Sequence, residues 1–226
     1  MPNFRGLNIP FTSFGNVTSN DLFSDKEQAI FNFYEASKTR YRRALDVGAN
    51  IGVHSILMAK QGWCVLAYEP DPLTYAHFRR NVDTHEVMVG SSCAAVSDHQ
   101  GDEVFVRVKG NMTGSHLKGD KSPYGELEEI PVHVVDCRPL FKWADFAKID
   151  CEGHEAKLLL TVTDEACEFM VEVGSQDNAK AIYEHFQGKR GMWAQKLDWK
   201  PVRSLEDVPK HHSEGGLFIG RKGPFP

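Results

Sequence analysis

The sequence has no unbroken apolar stretch approaching the roughly 18 residues that a membrane-spanning helix needs. Its opening segment, MPNFRGLNIPFTSFGNVTSND, also has no continuous apolar core of the kind a signal peptide carries. No membrane partner is therefore expected, and a cytoplasmic location is. Cysteine is scarce: Cys64, Cys93, Cys137, Cys151 and Cys167 are scattered, odd in number and without a C-x-x-C pair. That pattern points to buried, reduced thiols in a reducing compartment. Positive charge is in deficit as well. Lys and Arg total 26 against 31 Asp and Glu, a formal net charge of -5, which argues against a broad electrostatic footprint for nucleic acid. No internal repeat or low-complexity segment occurs.

What the chain does have is the composition of an ordinary globular protein, 226 residues with 41% hydrophobic and 25% charged. That is enough for one sizeable core. The first 23 residues read as an irregular arm. Ser24 then stands three residues before Glu27, the spacing of a capping box, ahead of Ala29, Ile30, Phe33 and Tyr34 on one helical face. From there strand and helix patterns alternate. RALDVG, CVLAYEP, FAKID and CEFMVEVG read as strands, and GVHSILMAKQG, PLTYAHFRRNVD, GHEAKLLLTV and DNAKAIYEHFQG read as helices. Between them DEVFVRVKG and EIPVHVVDC alternate like antiparallel strands around a Gly, Ser and Lys-rich loop. WAQKLDW and GGLFIGR are two further strand candidates. The organisation expected is an N-terminal arm and helix over residues 1–40 and one α/β domain over 41–226, with an insertion near 100–137.

Alternating strands and helices imply a doubly wound parallel sheet, covered on both faces. Ligands of such sheets bind beyond the carboxyl ends of the strands, near the point where strand order reverses. Asp46, Glu69, Asp150 and Glu172 each fall at or near a predicted strand end and so border a common crevice.

ALDVGANIGVHS is the strongest local signal. Gly48 and Gly52 sit in a strand–turn–helix sequence where a ligand approaches the backbone, and the helix N-terminus beyond suits an anion. The spacing is not the G-x-G-x-x-G of a dinucleotide site, and Asp46 would repel a pyrophosphate while attracting an ammonium. About twenty residues on, Glu69 in AYEPD is placed to accept hydrogen bonds from ribose hydroxyls. A ribose, an ammonium and a carboxylate in one ligand describe S-adenosylmethionine.

LDVGANIGVHSILMA, AYEPDP, AAVSDHQG and KIDCEGHEAKLL together resemble the successive motifs of the FkbM-type S-adenosylmethionine-dependent methyltransferases, over approximately residues 43 to 173. The resemblance implies a seven-stranded, mostly parallel methyltransferase sheet, here with an added β-hairpin insertion, and O-methylation of sugars or polyketide-type metabolites. It also implies that Gly48, Ala49, Asn50 and Gly52 line the methionine end of the cofactor, that Asp46 lies near its amino group, and that Glu69, with Pro70 beside it, holds the ribose. The adenine is expected against Ala94 and Ala95. S-adenosylhomocysteine would be the product.

A sulfonium methyl is already a strong electrophile, so an enzyme has mainly to align a hydroxyl and remove its proton. Asp150, Glu152 and His154 are the candidates for that work, and Asp150 also borders the cofactor. Glu155 reads as a first-turn acid that favours the helix dipole. No metal is expected, although Asp150 with Glu172 offers oxygen ligands suited to Mg²⁺. The loop near 110–125, with Lys109, Lys118 and Lys121, could close over an acceptor. KHHSEGG reads as a solvated loop. The leading expectation is an O-methyltransferase for a small-molecule or glycan acceptor. An RNA 2′-O-methyltransferase needs lysines at its centre, and Lys148, on the strand before Asp150, is expected by alternation to point away. A non-catalytic nucleoside-binding module is the third alternative.

Overall fold

The computed structural model of the chain describes residues 4–9, 18–111, 114–122, 124–163 and 166–225, with 19 and 20 as backbone only. Parts of the expected arm, 1–3 and 10–17, lie outside the described residues, as do 112, 113 and 123 of the lysine-rich loop. A short helix α1 (Ser19–Leu22) leads into α2 (Asp25–Ala36). Then come β1 (Arg43–Val47), α3 (Val53–Lys60), β2 (Cys64–Tyr68), α4 (Pro72–Thr84) and β3 (Val89–Ser92). Next are β4 (Ala95–Ser97), β5 (Gly101–Val108), β6 (His116–Leu117) and β7 (Leu127–Asp136). Alternation resumes with α5 (Cys137–Trp143), β8 (Phe146–Ile149), α6 (Glu155–Leu159), β9 (Glu168–Glu172) and α7 (Gln176–Phe186). Three strands follow: β10 (Gly191–Gln195), β11 (Trp199–Pro201) and β12 (Gly216–Gly220).

Local chemistry starts the helices where the sequence suggests. The Asp71 carboxylate accepts from the backbone N–H of Leu73 at 2.8 Å and Thr74 at 3.3 Å, with Pro72 opening α4. Ser24 accepts from the Glu27 N–H at 3.5 Å, one half of the expected capping box. The other half is replaced: the Glu27 carboxylate turns instead to His54 Nε2, 3.2 Å away.

The main sheet has eight strands in the order β11-β10-β12-β9-β8-β1-β2-β3. The five from β9 to β3 run parallel, while β12, β10 and β11 are antiparallel to their neighbours. This corrects the expected seven-stranded sheet. The eighth strand arises because Trp199–Pro201 folds back on β10, pairing Trp193 with Pro201. The insertion also differs from a hairpin. It is a separate four-stranded sheet, β4-β7-β5-β6, that starts at Ala95 and includes a parallel pair, β4 with β7. A long hairpin of β5 and β7 forms its centre, from Gly101↔Val134 to Val108↔Leu127.

Alternation along the strands divides two cores. Ala44, Val65, Phe146 and Phe218 face α2, α3 and α4, where Phe33 packs its ring 5.5 Å from both Phe146 and Phe218. Leu45, Val47, Ala147 and Ile149 face α5, α6 and α7. α2 is thus bound to the sheet by an aromatic cluster and belongs to the domain rather than to a detached arm. The five cysteines are free thiols. Cys137 and Cys167 are buried, whereas Cys64, on β2, is exposed, contrary to the expected burial.

Candidate active site

β1 pairs on one side with β2 and on the other with β8, so the strand order reverses beside β1. At that edge a cleft of about 840 Å³ opens. Gly48, Ala49, Asn50, Glu69, Pro70, Ala94, Ala95, Asp150, Glu152 and His154 all line it. Of the cofactor-binding and catalytic candidates named from the sequence, Asp46 and Gly52 are absent from the wall.

The turn after β1 is built for close approach. Gly48 has φ +73°, and a β-carbon there would lie 1.7 Å from the main-chain oxygen of Asp150. The N–H groups of Gly48 and Ala49 both donate to the Tyr68 carbonyl at 3.0 Å, which closes the turn against β2. Asn50 takes φ +50° and accepts from the Ile51 N–H at 2.8 Å with its own side chain. Gly52, at φ +92°, leaves room for Phe78, whose ring carbon would stand 2.9 Å from a β-carbon. Its role is packing beneath the turn.

Glu69 follows β2 and is 7% exposed. Its two oxygens accept from the N–H groups of Asn50 and Asp71, each at 2.9 Å. Burial dominates and pushes its pKa up to about 7, against the pull of those backbone donors. Asp46 is fully buried on the α3 side of the sheet, where Ser55 donates its hydroxyl to it at 2.5 Å. Asp46 thus lies behind the turn rather than on the wall of the cleft. The second oxygen of Asp46 has no hydrogen-bond partner and faces Lys148 Nζ at 3.8 Å.

Lys148 itself departs from expectation. It pairs in register with Asp46, on the same face, and its long stem carries the ammonium past the strand end. There it donates to the Gly48 carbonyl at 3.3 Å and to Asp150 at 3.2 Å. Burial raises the Asp150 pKa, but the charge and hydrogen bond of Lys148 outweigh it and the net direction is down. Glu152 sits in the turn at φ +57°, its carboxylate on the Lys121 ammonium. Burial first, then the Asp150 charge, push its pKa up to about 7, with Lys121 acting the other way.

His154 is 2% exposed and both ring nitrogens are engaged. Nε2 lies 2.8 Å from Ser97 Oγ, and Nδ1 lies 2.9 Å from Asp120 Oδ2. Glu155 is buried and organises the turn, accepting from the Gly153 N–H at 2.9 Å and from Asn178 at 2.8 Å. Glu172 ends β9 on the cleft, its pKa raised by burial and then by the Asp150 charge.

Several cleft residues carry no local motif in the sequence. Lys26, Glu27 and His54 come from α2 and α3, and His211 and His212 come from the expected solvated loop, which is exposed yet lines the cleft. Lys26 donates to the His212 carbonyl at 2.8 Å and lies 3.8 Å from Glu172. The Ser24–Glu27 spacing and the apolar face that follows it predicted helix α2 but not its place on the cleft. Among the described residues no group of three or more His, Cys, Asp or Glu side chains is arranged to hold a metal ion.

Residues 46–189 match the family described as Methyltransferase FkbM domain. No curated protein matches the chain. Among solved structures, it is similar to an S-adenosylmethionine-dependent methyltransferase from Agrobacterium tumefaciens, at 11% identity over 87% of this chain and 62% of that one, with TM-score 0.48. It is similar also to cofactor-bound Rv0187 from MTB, at 13% identity, 97% and 87% coverage and TM-score 0.45. A third likeness is to the tRNA methyltransferase TrmI from Aquifex aeolicus, at 11% identity, 96% and 73% coverage and TM-score 0.47. The sequence match alone, which spans more than half of the chain, carries the assignment: the protein belongs to the FkbM methyltransferase domain family and is an S-adenosylmethionine-dependent methyltransferase.

Proposed function

We propose that this methyltransferase transfers its methyl group to a hydroxyl of a small polar acceptor, such as a sugar, a glycan or a secondary metabolite, with Glu152 taking the proton. The observation that carries the reading is the meeting, in one cleft, of the Gly48–Asn50 turn and Glu69 with the carboxylates Asp150 and Glu152. When bound, the cofactor supplies an activated methyl on a positively charged sulfur.

The residues present fit that cofactor. Glu69 has lone pairs to spare beyond its two backbone donors, suited to a ribose diol. Ala94 and Ala95 are small and buried, and with Pro70 they favour a flat adenine ring. Carboxylates outnumber lysines along the wall, which favours a cationic sulfonium. Asp46, held behind the turn, would act at a distance, by fixing Lys148 and the loop above it.

On the acceptor side, a carboxylate with a pKa near 7 is matched to general-base work at neutral pH. Asp150, anchored by Lys148, would orient the acceptor and hold negative charge beside the sulfonium. His154, with both nitrogens engaged, would support the turn. Saturating S-adenosylhomocysteine should raise the melting temperature while NAD does not, and a screen of sugar and polyketide hydroxyls should release S-adenosylhomocysteine. A protein unmoved by the nucleoside would sink the reading.

An RNA 2′-hydroxyl has one observation in its favour, the turn of Lys148 toward the cleft. Yet the Lys148 side chain is only 8% exposed and its ammonium is shared between Asp46 and Asp150, so it has little left for a phosphate. Salt-sensitive RNA binding would revive that acceptor.

A further inference from the structure

The turn that carries Glu152 is held from two sides. From beneath, Glu155 accepts the Gly153 N–H at 2.9 Å, and Asn178 donates to the Gly153 carbonyl at 2.8 Å. From above, residues 120 and 121 of the loop between β6 and β7 rest directly on it. A β-carbon on Gly153, at φ +114°, would lie 3.1 Å from the Asp120 carbonyl oxygen and 3.3 Å from Lys121 Cγ. On either side of that contact point a side-chain pair forms. Asp120 accepts from His154 Nδ1 at 2.9 Å, and the Lys121 ammonium meets Glu152. Ser97, at the end of β4, fixes the far nitrogen of the same imidazole at 2.8 Å. Glu152 keeps a left-handed backbone, φ +57°, that a non-glycine residue holds only where its surroundings over-determine it.

We propose that Asp120 and Lys121 are positioning residues: gripping His154 and Glu152 from across the cleft, they set where the Glu152 carboxylate points and whether it carries charge. The proposal rests on the reading of Glu152 as the base. Around Glu152 stand Asp150 from the end of β8, Glu155 from α6 and Lys121 from the loop. Lys121 is the one cation of the set, and its ammonium opposes burial and the two carboxylates, which together favour the protonated form of Glu152. Asp120 acts one step further out. Its bond to the buried His154 holds the loop down and keeps Lys121 within reach.

The test has one readout that needs no turnover. In unliganded full-length protein with ¹³C-labelled glutamate, the Glu152 carboxyl is assigned by its loss in Glu152→Gln, and its titration is followed in Lys121→Met, Lys121→Arg and Asp120→Asn. Lys121→Met should raise the midpoint by about one pH unit. Lys121→Arg should restore it, and Asp120→Asn should raise it with Lys121 intact. Where methyl transfer is measurable, the acid limb of kcat should move by the same amount. A midpoint unmoved in Lys121→Met and Asp120→Asn overturns the proposal. A moved midpoint with a fixed acid limb overturns the role in turnover. A moved midpoint in a protein that transfers no methyl group at all supports the grip and counts against the proposed function instead.

Discussion

The main-chain oxygen of Asp150 stands 1.7 Å from the place where a β-carbon on Gly48 would be. The loops after β1 and β8 therefore touch through bare backbone, and the Asp150 N–H extends the pairing by donating to the Val47 carbonyl at 3.0 Å. The closeness is what brings the glycine turn and an acidic cluster to the two walls of one cleft.

Gly48→Ala should accordingly be severe. It combines a left-handed backbone with a collision that no side-chain rotation relieves, at a cost of more than about 3 kcal/mol, read as a fall in urea midpoint and loss of nucleoside binding. Gly62 is the control. It has φ +88° but nothing within 4 Å of an added β-carbon, so Gly62→Ala should cost only about 1 kcal/mol. Equal losses at the two positions would refute the contact.

Glu69→Gln should move stability and binding in opposite directions. The Glu69 pKa rises from 4.5 to about 7 on folding, so the folded state keeps a proton that the unfolded chain releases. Its contribution is complete below about pH 4.5 and is lost as pH climbs through 7. From pH 5 to pH 8 the wild type should thus lose roughly 2 to 3 kcal/mol relative to the variant, by urea unfolding without ligand. At pH 8 the variant should bind the cofactor about tenfold more weakly, for want of a charged acceptor. A pH-independent stability difference would show that Glu69 titrates normally.

Activity should climb as pH rises through about 7, because a base must first lose the proton that burial and Asp150 keep on Glu152. Glu152→Gln should lower kcat by about 10² to 10⁴ and leave cofactor affinity within about threefold. Full turnover in that variant would remove Glu152 from the chemistry.

The inserted sheet is tied to the start of α4 through Arg107, which donates to both oxygens of the buried Asp71 at 2.6 and 2.9 Å and to Glu128 at 2.6 Å. Arg107→Met strands the Asp71 charge and should cost about 3 to 5 kcal/mol in denaturant unfolding. Glu128 is 44% exposed, so Glu128→Gln should cost less than about 1 kcal/mol. Similar costs for the two would mean that Asp71 finds another partner.

How far the sequence revealed this site depends on the range of the forces involved. β1, its glycine turn and α3 were legible because apolar periodicity and turn chemistry act over a few residues, and so was Glu69 at the end of β2. Glu155 was readable only in part: its place in a first turn was clear, but its grip on Gly153 and Asn178 depends on how the turn folds back. Lys148 was misplaced because residues two apart on a strand share a face, which sets it with Asp150 and with its register partner Asp46, and its long stem then reaches the strand end. Asp46 looked like a ligand contact because strand ends border clefts, whereas Ser55 on α3 draws it behind the turn. Lys26 and His212, 186 residues apart, share a hydrogen bond that no local pattern encodes.

That last bond has a bearing on diversity. Both of its partners lie outside the region, 46–189, that matches the family. On the proposed reading the shared segment would supply the reactive nucleoside's cradle, while this corner of the cleft is assembled from flanking sequence that the match does not reach. Related enzymes could thus exchange one acceptor for another by rewriting their two flanks, with the methyl-donating machinery left untouched.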